Sequence, residues 1–195
     1  MQLVKKQAGL TLIEMMIAML LGLLVTGSII TIFISNVKSS SENIQMIQLN
    51  QELRVVMGFM SDELKRSGYS GTAEANHMNY FDRPDAQCVQ YAYDHLNDDG
   101  VVDDEEKFGF RLNNNAIEWG VNVACGTNTN WQDLTDTDII DNLTLTMIES
   151  SVATINPNIK VRQLDVVISG TKNLNPGTAT RRFTEAMRIR NDVAN

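Results

Sequence analysis

Apolar residues fill almost every position from Leu10 to Ile34, and beyond that run the pattern loosens into spaced single positions. At 1.5 Å per residue, roughly 25 residues of helix reach roughly 37 Å, more than the roughly 30 Å hydrocarbon core of a bilayer. Ser35 to Ser41 is polar. Past Ile44, however, Met46, Leu49, Leu53, Val56, Met60 and Leu64 recur at steps of three and four, which predicts one buried face of a continuing helix. Lys65 and Arg66 suit a helix carboxyl end, and Gly68 stops the pattern. A helix reaching about Ser67 would be over roughly 80 Å long. Its methionine and leucine stripe reads as the core of a folded head, with no need of a cofactor.

After Gly68 the period changes. Residues 72 to 107 show few periodic apolar positions, which predicts irregular surface structure. Phe108 to Leu112, a turn at Asn113-Asn114-Asn115, and Ala116 to Trp119 read as a hairpin whose return arm extends through Val121 toward Cys125. Leu143 to Glu149, Val161 to Ser169 and Thr180 to Ile189 read as strands, the first alternating with threonines and the second less cleanly, with residues 170 to 179, including Gly170, Pro176 and Gly177, forming the last turn. The expected fold is α+β, a long amino-terminal helix packed against an antiparallel sheet of about four strands.

One stretch of the irregular region has chemistry of its own. In the run Asp94 to Glu106, with Gly100 as the turn glycine, Asn97, Asp99, Asp103 and Glu106 fall where a calcium loop places side-chain oxygens, and Val101 would offer its carbonyl. The first ligand position falls on His95, so Asp94, one residue early, would have to substitute through a bulge. Hard oxygens at this density favour calcium over zinc. The competing reading is a solvated acidic loop, ordinary in a chain of net charge -8. His77 and His95 stand apart and make no case for a catalytic base, and neither a nucleophile elbow nor a Gly-rich phosphate loop is present. The acidic balance argues against direct nucleic-acid binding through a basic patch.

The amino-terminal run fixes the class. Lys5 and Lys6 precede Gly9, and the only charge between Leu10 and Ile34 is Glu14, a carboxylate costly in lipid unless paired. A secretory signal peptide would have a shorter apolar region and an Ala-x-Ala site. A plain signal anchor fits the length and the lysines but leaves Glu14 without a role. Gly9-Leu10-Thr11-Leu12-Ile13-Glu14 after a basic leader resembles the class III leader of the type IV pilin family. That resemblance implies cleavage between Gly9 and Leu10 by a prepilin peptidase, methylation of the new Leu10 amine, and pairing of Glu14 with an ammonium during assembly. Family members usually carry Phe at the Leu10 position, and the proline that many major pilins carry in the first half of the helix is missing here. Asp62-Glu63-Leu64-Lys65-Arg66-Ser67-Gly68-Tyr69-Ser70-Gly71 and the closing Arg188-Ile189-Arg190-Asn191 resemble PilW-type minor pilins.

The division that follows is a leader at 1–9, a transmembrane and filament-core helix at 10–34, an amphipathic half at 35–67 and a globular head at 68–195. A head on the exported side makes a Cys88–Cys125 disulfide the expectation over two buried thiols. The resemblance further implies a minor pilin that helps begin pilus assembly at or near the tip. Its partners would be other minor pilins, the major pilin, the peptidase and the inner-membrane assembly platform. Before assembly it would rest in the inner membrane with its head in the periplasm, and afterwards in the extracellular pilus. A minor pseudopilin of type II secretion shares the cleavage motif and is the alternative. An anchored periplasmic enzyme is a more distant one.

Overall fold

The computed structural model describes residues 9, 11–72, 76–137, 139–151, 159–174, 176–189 and 193–194, with only the backbone at 149–151, 159–160 and 193–194. Leu10, the leader before Gly9, and the Arg190-Asn191 ending lie outside the described residues. One helix, α1 (Leu12–Arg66), accounts for 55 residues, and the chain divides into two compact units at Ile44 and Gln45. The first unit is the apolar part of α1, exposed along its length, from Leu12 at 80% through Leu24 at 70% to Ile44 at 56%. The second unit contains the rest of α1 and the head.

In the second unit the buried face of α1 is formed by Leu49, Leu53, Val56, Met57, Met60 and Leu64. Its carboxyl end is closed by Gly68, whose φ of 77° places it in the left-handed region, and its N–H donates to the Ala92 carbonyl at 2.8 Å. A short helix, α2 (Asn76–Asn79), follows. Two antiparallel sheets complete the unit. The first is a five-stranded meander, β1 (Asp82–Asp85), β2 (Cys88–Ala92), β3 (Lys107–Asn113), β4 (Ala116–Val121) and β5 (Trp131–Asp133). The second has four strands, β6 (Ile140–Ser151), β7 (Ile159–Asn173) and β8 (Thr178–Arg188), with β9 (Val193–Ala194) pairing β7 beyond the end of β8. The sheets meet where Ile140 donates to Asn115 at 2.9 Å and Leu145 donates to Ala86 at 2.8 Å.

The α+β class holds, but the expected single sheet of about four strands is two sheets. Of the strands not foreseen, β1 and β2 lie in the stretch read as irregular, and β5 and β9 are only three and two residues long. In β2, Cys88, Val89, Tyr91 and Ala92 are all buried, so the strand is covered on both faces and carries no alternation to read. The β3–β4 hairpin turns at Asn114 and Asn115, with φ of 48° and 57°, the left-handed pair that a two-residue connection between right-twisted strands requires. Its return arm ends at Val121, short of Cys125. Gly170 also departs from the expected turn and lies within β7. A Cβ there would stand 2.8 Å from the Ile139 carbonyl oxygen and 3.2 Å from Leu49 Cδ1, so its role is to let α1 lie close on the strand.

Candidate functional site: the amino-terminal motif and the acidic loop

At the start of α1, Thr11 and Glu14 form a reciprocal cap. The Thr11 backbone N–H and Oγ1 both donate to Glu14 Oε2, at 3.0 and 2.9 Å, and the Glu14 N–H donates to Thr11 Oγ1 at 3.4 Å. Thr11-Leu12-Ile13-Glu14 is thus a capping box, which satisfies two of the donors a helix amino end leaves open. The T-x-x-E spacing was available in the sequence, where Glu14 reads only as an isolated charge. Gly9 is exposed, and a side chain at that position would meet none of the described residues within 4 Å. Leu10, the expected site of cleavage and methylation, lies outside the described residues.

Farther along the helix, Thr26, Ser28 and Thr31 return their hydroxyls to the carbonyls of Gly22, Leu24 and Gly27, at 2.7, 2.9 and 2.9 Å. No side-chain donor of that stretch is left facing the apolar surroundings its composition suits. By length and composition this is a helix able to cross a membrane.

In the acidic loop the sequence-predicted ligands divide into two groups. Asn97, Asp99 and Asp103 come together on the surface, with Asn97 Nδ2 2.9 Å from Asp99 Oδ2 and 3.5 Å from Asp103 Oδ2. The other two carboxylates are turned inward. Asp94, 1% exposed, accepts N–H bonds from Asp98 at 2.9 Å, Gly100 at 3.0 Å and Gly71 at 3.3 Å. Burial alone would raise its pKa. The Gly100, Gly71 and Asp98 donors and the nearby His77 outweigh burial and hold it below the ordinary range. Glu106, fully buried, faces His77 Nε2 at 2.9 Å and accepts from the Asp103 and His95 N–H groups at 3.2 and 3.3 Å. Both carboxylates therefore serve as hydrogen-bond acceptors inside the loop. Among the described residues, no group of three or more His, Cys, Asp or Glu side chains is arranged to hold a metal ion.

The Gly68-Tyr69-Ser70-Gly71 motif belongs to the same structure. A Cβ on Gly71 would lie 2.5 Å from Asp98 Cβ, so this glycine lets the chain leaving α1 pass against the loop. Cys88 and Cys125 form the expected disulfide, which joins β2 to the segment after β4. Beside it, Arg111 Nε bonds to Glu118 Oε2 at 2.5 Å across the β3–β4 pair, and the guanidinium carbon lies 4.4 Å from the centre of the Trp131 ring.

Two family models match the chain. Residues 4–30 match the prokaryotic N-terminal methylation motif, and residues 42–189 match prepilin peptidase-dependent protein B. The chain belongs to the prepilin peptidase-dependent protein B family. No curated protein and no solved structure matches it. Membership makes it a structural subunit of the minor pilin or pseudopilin type, processed by prepilin peptidase. The methylation motif and the apolar half of α1 together identify the membrane anchor of such a subunit. The second match begins at residue 42, close to where the second compact unit begins, so the family model covers the head and the helix that packs against it.

Proposed function

We propose that this family member is a minor subunit of a type IV pilus, similar to PilW-type minor pilins, that takes part in starting pilus assembly and resides in or near the tip. The observation carrying the reading is the amino-terminal motif: a basic leader, Gly9, and Glu14 five residues on, all within the matched methylation segment. Lys5 and Lys6 hold the amino end in the cytoplasm while the head enters the periplasm. Water adds across the Gly9–Leu10 peptide bond in the peptidase site, leaving a Gly9 carboxylate and a Leu10 amine, which is then methylated. A side chain at Gly9 meets none of the described residues, so a requirement for glycine there is assigned to the peptidase.

The trimmed chain waits in the inner membrane. Its helix then docks beside those of other minor pilins and the major pilin on the assembly platform, and Glu14 meets an ammonium. Two groups each costly in lipid become tolerable together. The assembled protein is part of the extracellular filament.

Replacing Gly9 by Val tests the first step. The expected result is a precursor band that fails to shift on a gel and a mature chain missing from sheared pili. Normal processing of the variant would overturn the peptidase assignment. Intact piliation with lost protein secretion in a deletion strain would move the protein to type II secretion.

A further inference from the structure

Sheet edges are where one chain recruits another, and the head treats its four edges unequally. β1 is four residues long and contains Pro84 between Asp82 and Asp85, and β5 is three residues long. The outer edge of β6 is bonded to the first sheet through Ile140, Leu145 and Arg83, the last donating to the Leu145 carbonyl at 3.0 Å. β8 has none of these protections. Its 11 residues pair with β7 in unbroken register from Asn173↔Thr178 to Gln163↔Arg188, and among the described residues no strand lies on its other side. No proline or glycine interrupts it.

The charge on β8 is opposite to that of the rest of the chain. Arg181, Arg182 and Arg188 stand against the single Glu185 on this strand, in a chain of net charge -8. Glu185 is already engaged, accepting from Ser61 Oγ at 2.7 Å with Lys65 Nζ 3.8 Å away. Arg182 is exposed, while Arg181 donates to Met46 Sδ at 3.5 Å and to the Thr180 carbonyl at 3.1 Å. Neither of these two arginines meets a carboxylate among the described residues. With a screening length of about 8 Å at physiological salt, the charge of the strand governs what can lie beside it, ahead of the net charge of the molecule.

We infer that β8 is a docking edge that accepts an extended, acidic segment of a neighbouring subunit as an added strand. Main-chain hydrogen bonds supply the affinity, and carboxylates on the exposed face that Arg182 shares select the partner. A second copy of β8 is a poor occupant, because it would set three arginines against three. That the donor is a filament subunit rests on the function proposed above; the strand addition itself does not, and it can be tested apart from assembly.

The experiment uses the full chain in detergent micelles and a fluorescent 11-residue peptide of alternating Val and Glu. Companion peptides carry Lys in place of Glu, or a central Pro. The expected result is saturable binding of the acidic peptide alone, with slowed amide exchange confined to residues 178–188. Binding should weaken at least tenfold in Arg182→Glu and less in Arg182→Gln, with unchanged melting of either variant showing that the head is intact. The inference is overturned if the acidic peptide fails to bind or if the proline peptide binds equally well, which would indicate charge attraction alone. Exchange protection falling elsewhere, or a dimer of the chain that the peptide dissociates, would overturn it too.

Discussion

Truncating Leu53 to Ala tests whether the two halves of α1 are stabilised by different surroundings. Leu53 is completely buried, and its Cδ2 lies 3.4 Å from where a Cβ on Gly170 would be, so the helix there rests almost on the β7 backbone. A paired strand cannot move inward to fill the space of an isobutyl group. The cost therefore belongs in the upper part of the range for buried leucine, about 3–5 kcal/mol, because the cavity adds to the lost transfer energy. For a unit of this size that lowers the melting temperature by roughly 10 °C. Leu24, 70% exposed, is the control, and Leu24→Ala should leave head stability within about 0.5 kcal/mol. Denaturation of the full chain in micelles reports both through Trp119, whose ring packs 5.6 Å from Phe59 and 6.1 Å from Phe108. A loss below about 1 kcal/mol for Leu53→Ala, or equal losses for both variants, would refute the reasoning.

Three further outcomes follow from the head. Replacing Cys88 and Cys125 by Ser should cost about 4 kcal/mol in the chain-entropy model for a loop closed at a sequence separation of 37, measured by the same denaturation with and without reductant. Millimolar calcium, compared with chelator, should leave the melting temperature unchanged, since among the described residues no three His, Cys, Asp or Glu side chains are arranged to hold a metal ion; a rise of several degrees would show that the loop reorganises around the ion. Tyr93, whose hydroxyl donates to Glu63 at 2.9 Å, is pushed up to about 12 by burial and then by the Glu63 charge and hydrogen bond. A raised phenol favours the protonated folded state, so its contribution is whole below about pH 10 and is lost as pH rises toward 12. Alkaline melts should show that decline, and Tyr93→Phe should reduce it, leaving the part due to Tyr91, which burial also raises.

What could be read in the sequence depended on whether a residue has one environment or two. The stripe from Leu49 to Leu64 was legible because its residues, spaced at three and four, are all buried against the head. The β3–β4 hairpin was legible from its asparagines, which tolerate the left-handed turn. β2 was not, being buried on both faces, and Gly170 was misplaced because a glycine that admits a helix looks the same as one that makes a turn. The acidic loop shows the limit for candidate sites. Its spacing suggested metal ligands, yet nothing in the order of residues signals that His77, separated from Glu106 by 29 positions, faces that carboxylate from α2.

Glu14 is where local structure and the proposed assembly make competing demands on one side chain. In the chain with its leader, the carboxylate caps α1 through Thr11, and both bonds come from within a single turn. Cleavage after Gly9 would place an ammonium at Leu10, at the positive end of the helix dipole, where a cation is disfavoured unless a carboxylate takes it up. A Glu14 that remained wholly committed to Thr11 could not also serve an amine on an adjacent subunit. Two substitutions separate these roles. Thr11→Val removes the hydroxyl partner and leaves the charge, so assembly should persist or improve while the first turn frays. Glu14→Gln keeps an amide able to complete a capping box but loses the charge, so processing should continue while incorporation into filaments fails. Processing is read on gels and incorporation in sheared pili. If Glu14→Gln assembles normally while Thr11→Val does not, the cap is what matters, and the ammonium pairing is wrong.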